Sequence, residues 1–302
     1  MAFLGVYGHV NVDHILLVPE LPGPERTVSV KQSLIRLGGT GGNIARAAAS
    51  LGVSTSLAAC VGDDFPDEYR HLLESSGLDL TDLKHVPGPT PKIWIVSVPG
   101  GAQNAIIDQG VMGDSFERPK LDFAWLNSDW VHFTTGAPAD WLEPAQAASQ
   151  AGKRIAFDPA QELAYRYTSR VFETLLNDSD LFVCNEHELP RALDLLGYGD
   201  ARQLFDHTDR ILVTRGERGA RLIQPKETLD VAACPVRGSK RVESTGAGDV
   251  FRAGLYAGLF RSEPWPEALR AASVAASLFL ENEGNRFPSW SDVVERREEW
   301  TT

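Results

Sequence analysis

The second half of the chain alternates between short apolar runs and longer segments whose apolar residues recur with helical spacing. The apolar runs lack an in-and-out alternation, which is typical of strands buried on both faces of a parallel sheet. Because strands and helices alternate with short connections, we expect an α/β fold whose parallel sheet is covered by helices on both faces. The predicted strands are Trp130–Gly136, Arg154–Asp158, Leu181–Cys184 and Arg210–Thr214. The predicted helices include Trp141–Gly152, Val171–Leu176, Glu186–Leu196, Asp249–Phe260 and Pro266–Leu280.

The first hundred residues have a different pattern. A strand at Leu4–Gly8 is followed by extended segments bounded by Pro and Gly, which predict a small, mostly β subdomain that acts as a lid. These segments are Val28–Leu37, Lys92–Val98 and Ala105–Asp108. They are interleaved with the main fold, so we expect one domain over residues 1–302, with the lid at about 12–37 and 92–110. Between them, Asn43–Leu51 predicts a helix that ends at Gly52.

Composition narrows the class of protein. The chain has 302 residues, 43% of them hydrophobic and 23% charged, which is ordinary for a globular protein. A net charge of −12 argues against nucleic acid as a partner, although local backbone dipoles can still hold a small anion. The three cysteines are odd in number and lack metal-ligand spacing, so we expect reduced thiols in a cytoplasmic protein. No apolar stretch approaches the ~20 residues that span a bilayer, so we expect no membrane association.

The sharpest chemical signal is the segment STGAGDVF at 244–251, where an Asp follows two glycines at a predicted helix start. The backbone N–H groups there form an anion site for a phosphoryl group in transfer. A carboxylate at Asp249 can accept the proton of an attacking hydroxyl. The alternative is that Thr245 caps a helix and Asp249 only complements its dipole.

A second glycine-rich segment, GGTGGN at 38–43, opens the helix that begins at Asn43. Its glycines allow close approach of the backbone to a ligand, and Asn43 offers both a donor and an acceptor, which suits vicinal hydroxyls. The alternative is a flexible turn. Neither glycine segment fits the P-loop pattern or the dinucleotide-binding pattern.

Other polar clusters follow predicted strands, where open parallel sheets bind ligands. Asn11 and Asp13 follow the first strand and can bind sugar hydroxyls, or Asp13 stabilises a turn. Asp158 and Gln161 follow the strand RIAFD and are candidates for contact with substrate or metal. Because five such clusters come after separate strands, we expect them to share one edge of the sheet.

Two of these clusters suit a nucleotide. Asn185 and Glu188 are three residues apart at a predicted helix start, and such oxygen ligands suit Mg²⁺ held largely through water, or they cap the helix. Thr214 and Gly216, in TRGERG, follow the next strand and suit nucleotide phosphates and ribose, or they form a hairpin turn into Ala220–Ile223.

Taken together, these motifs resemble the ribokinase-like, or PfkB, family of carbohydrate kinases over nearly the whole chain. GGTGGNIARAAASLG resembles the first family signature and STGAGDVFRAGLYAGL the second, which is the more specific. VCNEHE and VTRGERGA are similar to the Asn-x-x-Glu motif and the nucleotide loop. The segments TPKIWIV, FDPAQ and FPSWSDVVERREE are similar to the archaeal-type nucleoside kinases, so the resemblance favours a nucleoside as acceptor.

The resemblance implies a Rossmann-like core with a β-lid, MgATP as the phosphoryl donor and a ribose-containing alcohol as acceptor. By position, Asp249 would be the base, with Gly246, Ala247 and Gly248 forming the anion hole. Asn185 and Glu188 would organise Mg²⁺ and phosphates. By position, Thr214 and Gly216 would line the ATP site, and Asp13, Gly41 and Asn43 would bind the acceptor. The residues themselves add Thr245 as a candidate for ATP, and Asn11, Asp158 and Gln161 as candidates for the acceptor.

The sequence departs from the family pattern at one place and leaves several alternative functions open. Many relatives have Asp-Thr where this chain has Glu243-Ser244, which leaves activation by a monovalent cation open. Some relatives form homodimers through the lid, whose exposed strand edges can pair. The alternatives to a nucleoside kinase are a kinase for ribose, fructose or a sugar acid, and a non-catalytic sensor, although a sensor needs no base.

Overall fold

Short strands form the two β-sheets of the molecule. The computed structural model describes residues 1–99, 103–238, 245–282 and 286–301. Within that part of the chain the strands are β1 (Ala2–Tyr7), β2 (Asn11–Leu17), β3 (Gln32–Gly38), β4 (Thr55–Val61), β5 (Leu83–His85), β6 (Lys92–Ser97), β7 (Gln103–Asp108), β8 (Ser128–Phe133), β9 (Arg154–Phe157), β10 (Leu181–Asn185), β11 (Arg210–Thr214), β12 (Ala220–Ile223) and β13 (Thr228–Val231).

Nine of these strands form the main sheet, in the order β13-β12-β11-β10-β9-β8-β1-β4-β5. Pairing is parallel from β5 through to β11, which confirms the predicted parallel sheet. The last two strands are antiparallel, because β11 turns directly into β12 and β12 into β13. The alternative prediction, that the segment after Thr214 forms a hairpin turn into Ala220–Ile223, is therefore confirmed for the backbone. The parallel strand ends lie along one edge, as the sequence predicts.

Helices cover both faces of the main sheet, as predicted. They are α1 (Thr40–Ser50), α2 (Asp67–Ser75), α3 (Phe123–Leu126), α4 (Pro138–Gln150), α5 (Ser169–Asn177), α6 (Glu188–Leu196), α7 (Ala247–Phe260), α8 (Trp265–Glu281) and α9 (Trp290–Thr301). One apolar core lies between the sheet and α1, α7 and α8, and the other lies under α4, α5 and α6. Small residues bring α7 and α8 close together, since a Cβ at Gly254 or Gly258 would lie 2.7 or 2.6 Å from Cα atoms of α8. Close packing of this pair fixes the position of the N-terminus of α7.

The other four strands form a separate small sheet in the order β3-β2-β6-β7. It contains the segments predicted to form the lid, and closure over a ligand remains a prediction. Strand β3 ends at Gly38 and leads within two residues into α1, while β2 begins four residues after β1 ends. The small sheet is therefore joined to the main sheet beside the predicted acceptor residues.

Several predicted boundaries were wrong, and some elements were missed. The predicted strand Trp130–Gly136 ends at Phe133, and the predicted helix Glu186–Leu196 begins only at Glu188. Strand β4, helix α2 and helix α9 had no prediction.

All three cysteines are buried and free of disulfides. None of the helices in the described ranges combines the length and the apolar character needed to cross a membrane.

Candidate functional site

The two glycine-rich segments meet at a direct side-chain contact. Asn43 on α1 donates a hydrogen bond from Nδ2 to Oδ2 of Asp249 on α7, over 2.9 Å. The residues are 206 positions apart in sequence and are brought together because α1 packs against α7. Asp249 is partly exposed and lies in the first turn of α7. The predicted base therefore faces the edge of the sheet where ligands bind in folds of this type.

The N-terminus of α7 has the conformation that an anion site requires. Gly246 precedes the helix with φ of 94°, a left-handed conformation that residues with a Cβ rarely adopt. Ala247 and Gly248 then begin the helix, where N–H groups have no partner inside the helix and the dipole is positive. The structure thus brings Gly246, Ala247 and Gly248 together with Asp249, as predicted. Thr245 Oγ1 lies 3.5 Å from Gln103 Oε1 of the small sheet.

The pKa of the Asp249 carboxyl is raised to about 6. Burial raises it most, and the nearby Asp158 carboxylate adds to the increase. The Arg252 guanidinium and the Asn43 hydrogen bond act in the opposite direction. Asp249 is therefore mostly ionised at neutral pH, yet its pKa is close enough to neutrality for proton transfer.

Beneath Asp249 lies a buried ion pair that the sequence did not predict. Arg252 donates through Nη2 to Asp158 Oδ1 over 3.0 Å, and its Nε also contacts that carboxylate. His132 Nε2 lies 3.5 Å from Asp158 Oδ2, and its Nδ1 is 2.7 Å from the Tyr256 hydroxyl. Burial alone would raise the pKa of Asp158, but Arg252 and His132 hold it below the ordinary value. Burial lowers the pKa of His132, so this ring is neutral at physiological pH.

A local signal for Arg252 existed, because it is three residues after Asp249 on the same face of α7. The sequence predicted contact of Asp158 with substrate or metal. The structure places its side chain fully buried, with Arg252 as its partner. Gln161, by contrast, is exposed on the surface three residues later. Contact of either residue with a substrate remains a prediction.

Three of the predicted acceptor residues, Asn11, Asp13 and Gly41, lie where the two sheets join. Asp13 on β2 is opposite Arg36 on β3, with the Nε of Arg36 3.9 Å from Asp13 Oδ2. Both Asn11 and Asp13 are buried. A Cβ at Gly38 would overlap the Asp13 carboxylate at 2.0 Å, so only glycine leaves that carboxylate in place. In the same way, a Cβ at Gly41 would lie 2.7 Å from the backbone of Gly8.

The predicted nucleotide residues lie on neighbouring strands, because Asn185 on β10 is directly opposite Thr214 on β11. Asn185 Oδ1 accepts from the N–H groups of His187 and Glu188, over 2.8 and 2.9 Å. Glu188 Oε2 accepts in return from the N–H of Asn185 over 2.8 Å. Asn185 and Glu188 therefore cap the start of α6. They also lie at the end of β10, as the sequence predicts. Gly216 has φ of 56° and open space around it.

Magnesium fits this edge only if water supplies most of its ligands. The described residues contain no group of three or more His, Cys, Asp or Glu side chains arranged to hold a metal ion. Burial raises the pKa of the Glu188 carboxyl, which a nearby cation would oppose. Mg²⁺ usually keeps several waters and binds through one or two carboxylates plus phosphates, so this donor set suits it. Glu243 and Ser244, which bear on the monovalent cation, lie outside the described residues.

Comparisons with known proteins agree with this geometry. A model described as pfkB family carbohydrate kinase matches residues 1–292. A nucleoside kinase of Methanothermobacter thermautotrophicus is 30% identical over 96% of this chain and 93% of its own length. An ATP-dependent ribose-1-phosphate kinase of Halopiger xanaduensis is 29% identical over 95% of each chain. The crystal structure of Methanocaldococcus jannaschii nucleoside kinase, an archaeal member of the ribokinase family, covers 99% of each chain with 26% identity and a TM-score of 0.88.

Proposed function

Because the chain belongs to the pfkB family of carbohydrate kinases and is an ATP-dependent kinase for a sugar or nucleoside alcohol, we propose that its acceptor is a nucleoside. The observation that carries the proposed mechanism is the Asn43–Asp249 contact at the N-terminus of α7. It supports the proposed pairing of an ionisable carboxylate with a backbone anion site, which phosphoryl transfer to an alcohol requires.

In the proposed reaction the acceptor hydroxyl attacks the γ-phosphorus of ATP in line with the leaving oxygen of ADP. Asp249 accepts the hydroxyl proton as the new O–P bond forms and the bond to ADP breaks. The N–H groups of Gly246, Ala247 and Gly248 hold the phosphoryl oxygens through the transition state. Asn43 holds the carboxylate in place through its hydrogen bond.

We assign nucleotide binding to the neighbouring strand ends. Thr214 and Gly216 would contact the nucleotide, and Asn185 and Glu188 would hold Mg²⁺ largely through its waters. When bound, Mg²⁺ neutralises phosphate charge that would otherwise oppose transfer. Asn11, Asp13, Gly41 and Asn43 would bind the vicinal hydroxyls of the acceptor sugar. We call these four residues the acceptor subsite.

A nucleoside is favoured over a free sugar by the relatives that are named nucleoside kinases and cover nearly the whole chain. The second candidate is a sugar phosphate, since a relative of similar identity is named a ribose-1-phosphate kinase. Both acceptors carry ribose hydroxyls, so the acceptor subsite serves either. They differ in what is attached at C1 of the ribose.

The test is ADP release from MgATP by the purified protein with nucleosides, ribose, fructose, sugar acids and ribose 1-phosphate, and with Asp249→Asn in parallel. We expect the highest kcat/KM with nucleosides and a loss of turnover of at least ~10²-fold in Asp249→Asn. Turnover with ribose 1-phosphate or free sugars but not with nucleosides would refute the nucleoside assignment. An undiminished rate in Asp249→Asn would refute the base.

A further inference from the structure

One row of side chains crosses all four strands of the small sheet and has a polar half and an apolar half. The strand registers align Arg36 on β3 with Asp13 on β2, Ile93 on β6 and Ile107 on β7. Side chains that are directly opposite each other in paired strands point to the same face of a sheet. The two charged residues are therefore neighbours on this face, and the two isoleucines continue the line. We call these four residues the cross-strand row.

The face that carries the cross-strand row is turned toward α7. On β7, Gln103 shares this face with Ile107, because the two residues are an even number of positions apart along the strand. Gln103 Oε1 lies 3.5 Å from the Oγ1 of Thr245, two residues before the start of α7. At the other edge of the small sheet, the Arg36 guanidinium is close enough to Asp249 to lower the pKa of that carboxyl.

Burial distinguishes the two faces at the level of the row. Ile107 is half-buried, whereas its neighbour Ile106, which points to the other face, is 65% exposed. The same contrast occurs on β3, where Arg36 is half-buried and Ile35 is 57% exposed. The cross-strand row is therefore on the more covered face, and Ile106 is on the more open one.

The acceptor subsite is continuous with the cross-strand row, because Asp13 belongs to both. On one side of Asp13 the row offers the cation of Arg36, which suits the charge of a phosphoryl group. On the other side, Ile93 and Ile107 offer neither a charge nor a hydrogen-bonding group. Paired strands are about 5 Å apart, so the two isoleucines lie within reach of a substituent on a sugar held by Asp13. Ligand sites commonly combine a few polar groups with such an apolar wall.

We propose that Ile93 and Ile107 form the contact surface for the group at C1 of the acceptor ribose, and that they select a nucleobase over the hydroxyl of free ribose or the phosphate of ribose 1-phosphate. This inference rests on the proposed nucleoside kinase function and names residues that determine its specificity. A nucleobase buries a flat face against the aliphatic side chains, whereas a hydroxyl has little apolar area to bury. A phosphate placed there would lose water without gaining a hydrogen bond or a cation.

The experiment compares Ile107→Lys with Ile106→Lys, which introduce the same charge at adjacent positions on opposite faces of β7. Neither isoleucine belongs to the two apolar cores, so both variants should fold, and urea unfolding checks this. For each protein, kcat/KM is measured with adenosine, cytidine, ribose and ribose 1-phosphate under saturating MgATP.

We expect Ile107→Lys to lower kcat/KM for the nucleosides by at least ~10-fold, because apolar contact with the base is lost. The same variant should leave kcat/KM for ribose nearly unchanged. It should raise kcat/KM for ribose 1-phosphate, because a cation then faces the phosphate. Ile106→Lys is the matched control and should keep the native values for every acceptor.

A milder variant tests the other isoleucine without adding a charge. Ile93→Ala removes part of the apolar surface and should lower kcat/KM for the nucleosides by at least ~3-fold, again without an effect on ribose. Val96→Ala, which truncates a half-buried residue on the other face of β6, is its control and should leave these values unchanged.

The outcomes separate this inference from the proposed function. Equal effects of Ile107→Lys and Ile106→Lys on the nucleosides would overturn contact of Ile107 with the base. A loss of the same size for nucleosides, ribose and ribose 1-phosphate would overturn it as well, because such a loss is not selective for the group at C1. In both cases native activity with nucleosides leaves the proposed function standing. A native protein that phosphorylates ribose or ribose 1-phosphate but no nucleoside would instead refute the proposed function.

Discussion

We expect replacement of Asp249 by asparagine to change activity and stability in opposite directions, and the structure gives the magnitude of the change in stability. Burial raises the pKa of Asp249 from 3.8 to about 6, so the ionised carboxylate destabilises the folded state at neutral pH. A pKa difference of this size corresponds to about 3 kcal/mol. Asparagine keeps the shape and an oxygen that accepts from Asn43, but it carries no charge. We therefore expect Asp249→Asn to lose at least ~10²-fold in turnover and to be up to about 3 kcal/mol more stable at pH 7.5.

The pH dependence follows from the two pKa values. Below pH 3.8 the carboxyl is protonated in the folded and the unfolded chain, so the stabilisation from Asp249→Asn disappears. Between pH 3.8 and about 6 the unfolded chain ionises first, and the stability of the native protein falls relative to the variant. Above about pH 6 the full difference is present. The same ionisation should give kcat/KM of the native protein an acid limb near pH 6, because the base must be deprotonated.

The assays are urea unfolding at pH 7.5 and pH 4, and initial rates with the best acceptor from the substrate panel. The control is Asp129→Asn, at an exposed position on β8, which should change neither stability nor rate. Equal stability of native protein and Asp249→Asn at pH 7.5 would refute the argument that burial penalises this carboxylate. A difference that is the same at both pH values would refute its assignment to ionisation.

Two further variants test the surroundings of the base. Asp158→Asn removes the carboxylate that raises the pKa of Asp249 and leaves Arg252 free to stabilise its ionised form, so the acid limb of kcat/KM should shift to lower pH. It should also cost about 3–5 kcal/mol in urea unfolding, because it breaks a buried ion pair, and an unmoved acid limb would contradict the coupling. Glu188→Gln should raise the Mg²⁺ concentration for half-maximal rate by about 10-fold. The exposed Glu173→Gln is its control, and an unchanged Mg²⁺ dependence would contradict the proposed role of Glu188.

The sequence predicted the parallel sheet and its shared edge of strand ends well, because that prediction needs only local patterns. Apolar runs located β8 to β11, and the glycine-rich segments located the starts of α1 and α7 to within a few residues. Parallel pairing then placed the strand ends on one edge. What the pattern did not contain was the direct hydrogen bond between Asn43 and Asp249, which depends on how two helices far apart in sequence pack.

The missed residues share a physical reason. Arg252 is the only basic residue in the mostly apolar helix α7, and its partner 94 residues away makes burial of the charge tolerable. Asp158 was predicted as a ligand-edge carboxylate, but its pairing with Arg252 was not, because the local sequence around either residue does not identify a partner so far away. Strand β4 was missed because seven consecutive buried residues show no periodicity that separates a strand from a buried helix.

The ion pair beneath Asp249 explains how this partly exposed carboxylate can have the pKa that its proposed role as a base requires. Burial raises the pKa of the carboxyl, whereas an unpaired Arg252 beside it would lower that pKa and weaken the carboxylate as a base. Asp158 neutralises most of the Arg252 charge, and the neutral His132 bonded to Tyr256 adds no further cation. The opposing effects leave the pKa of Asp249 at about 6, below physiological pH and close to it. A base with that pKa is ionised when substrate binds and is still basic enough to accept the hydroxyl proton.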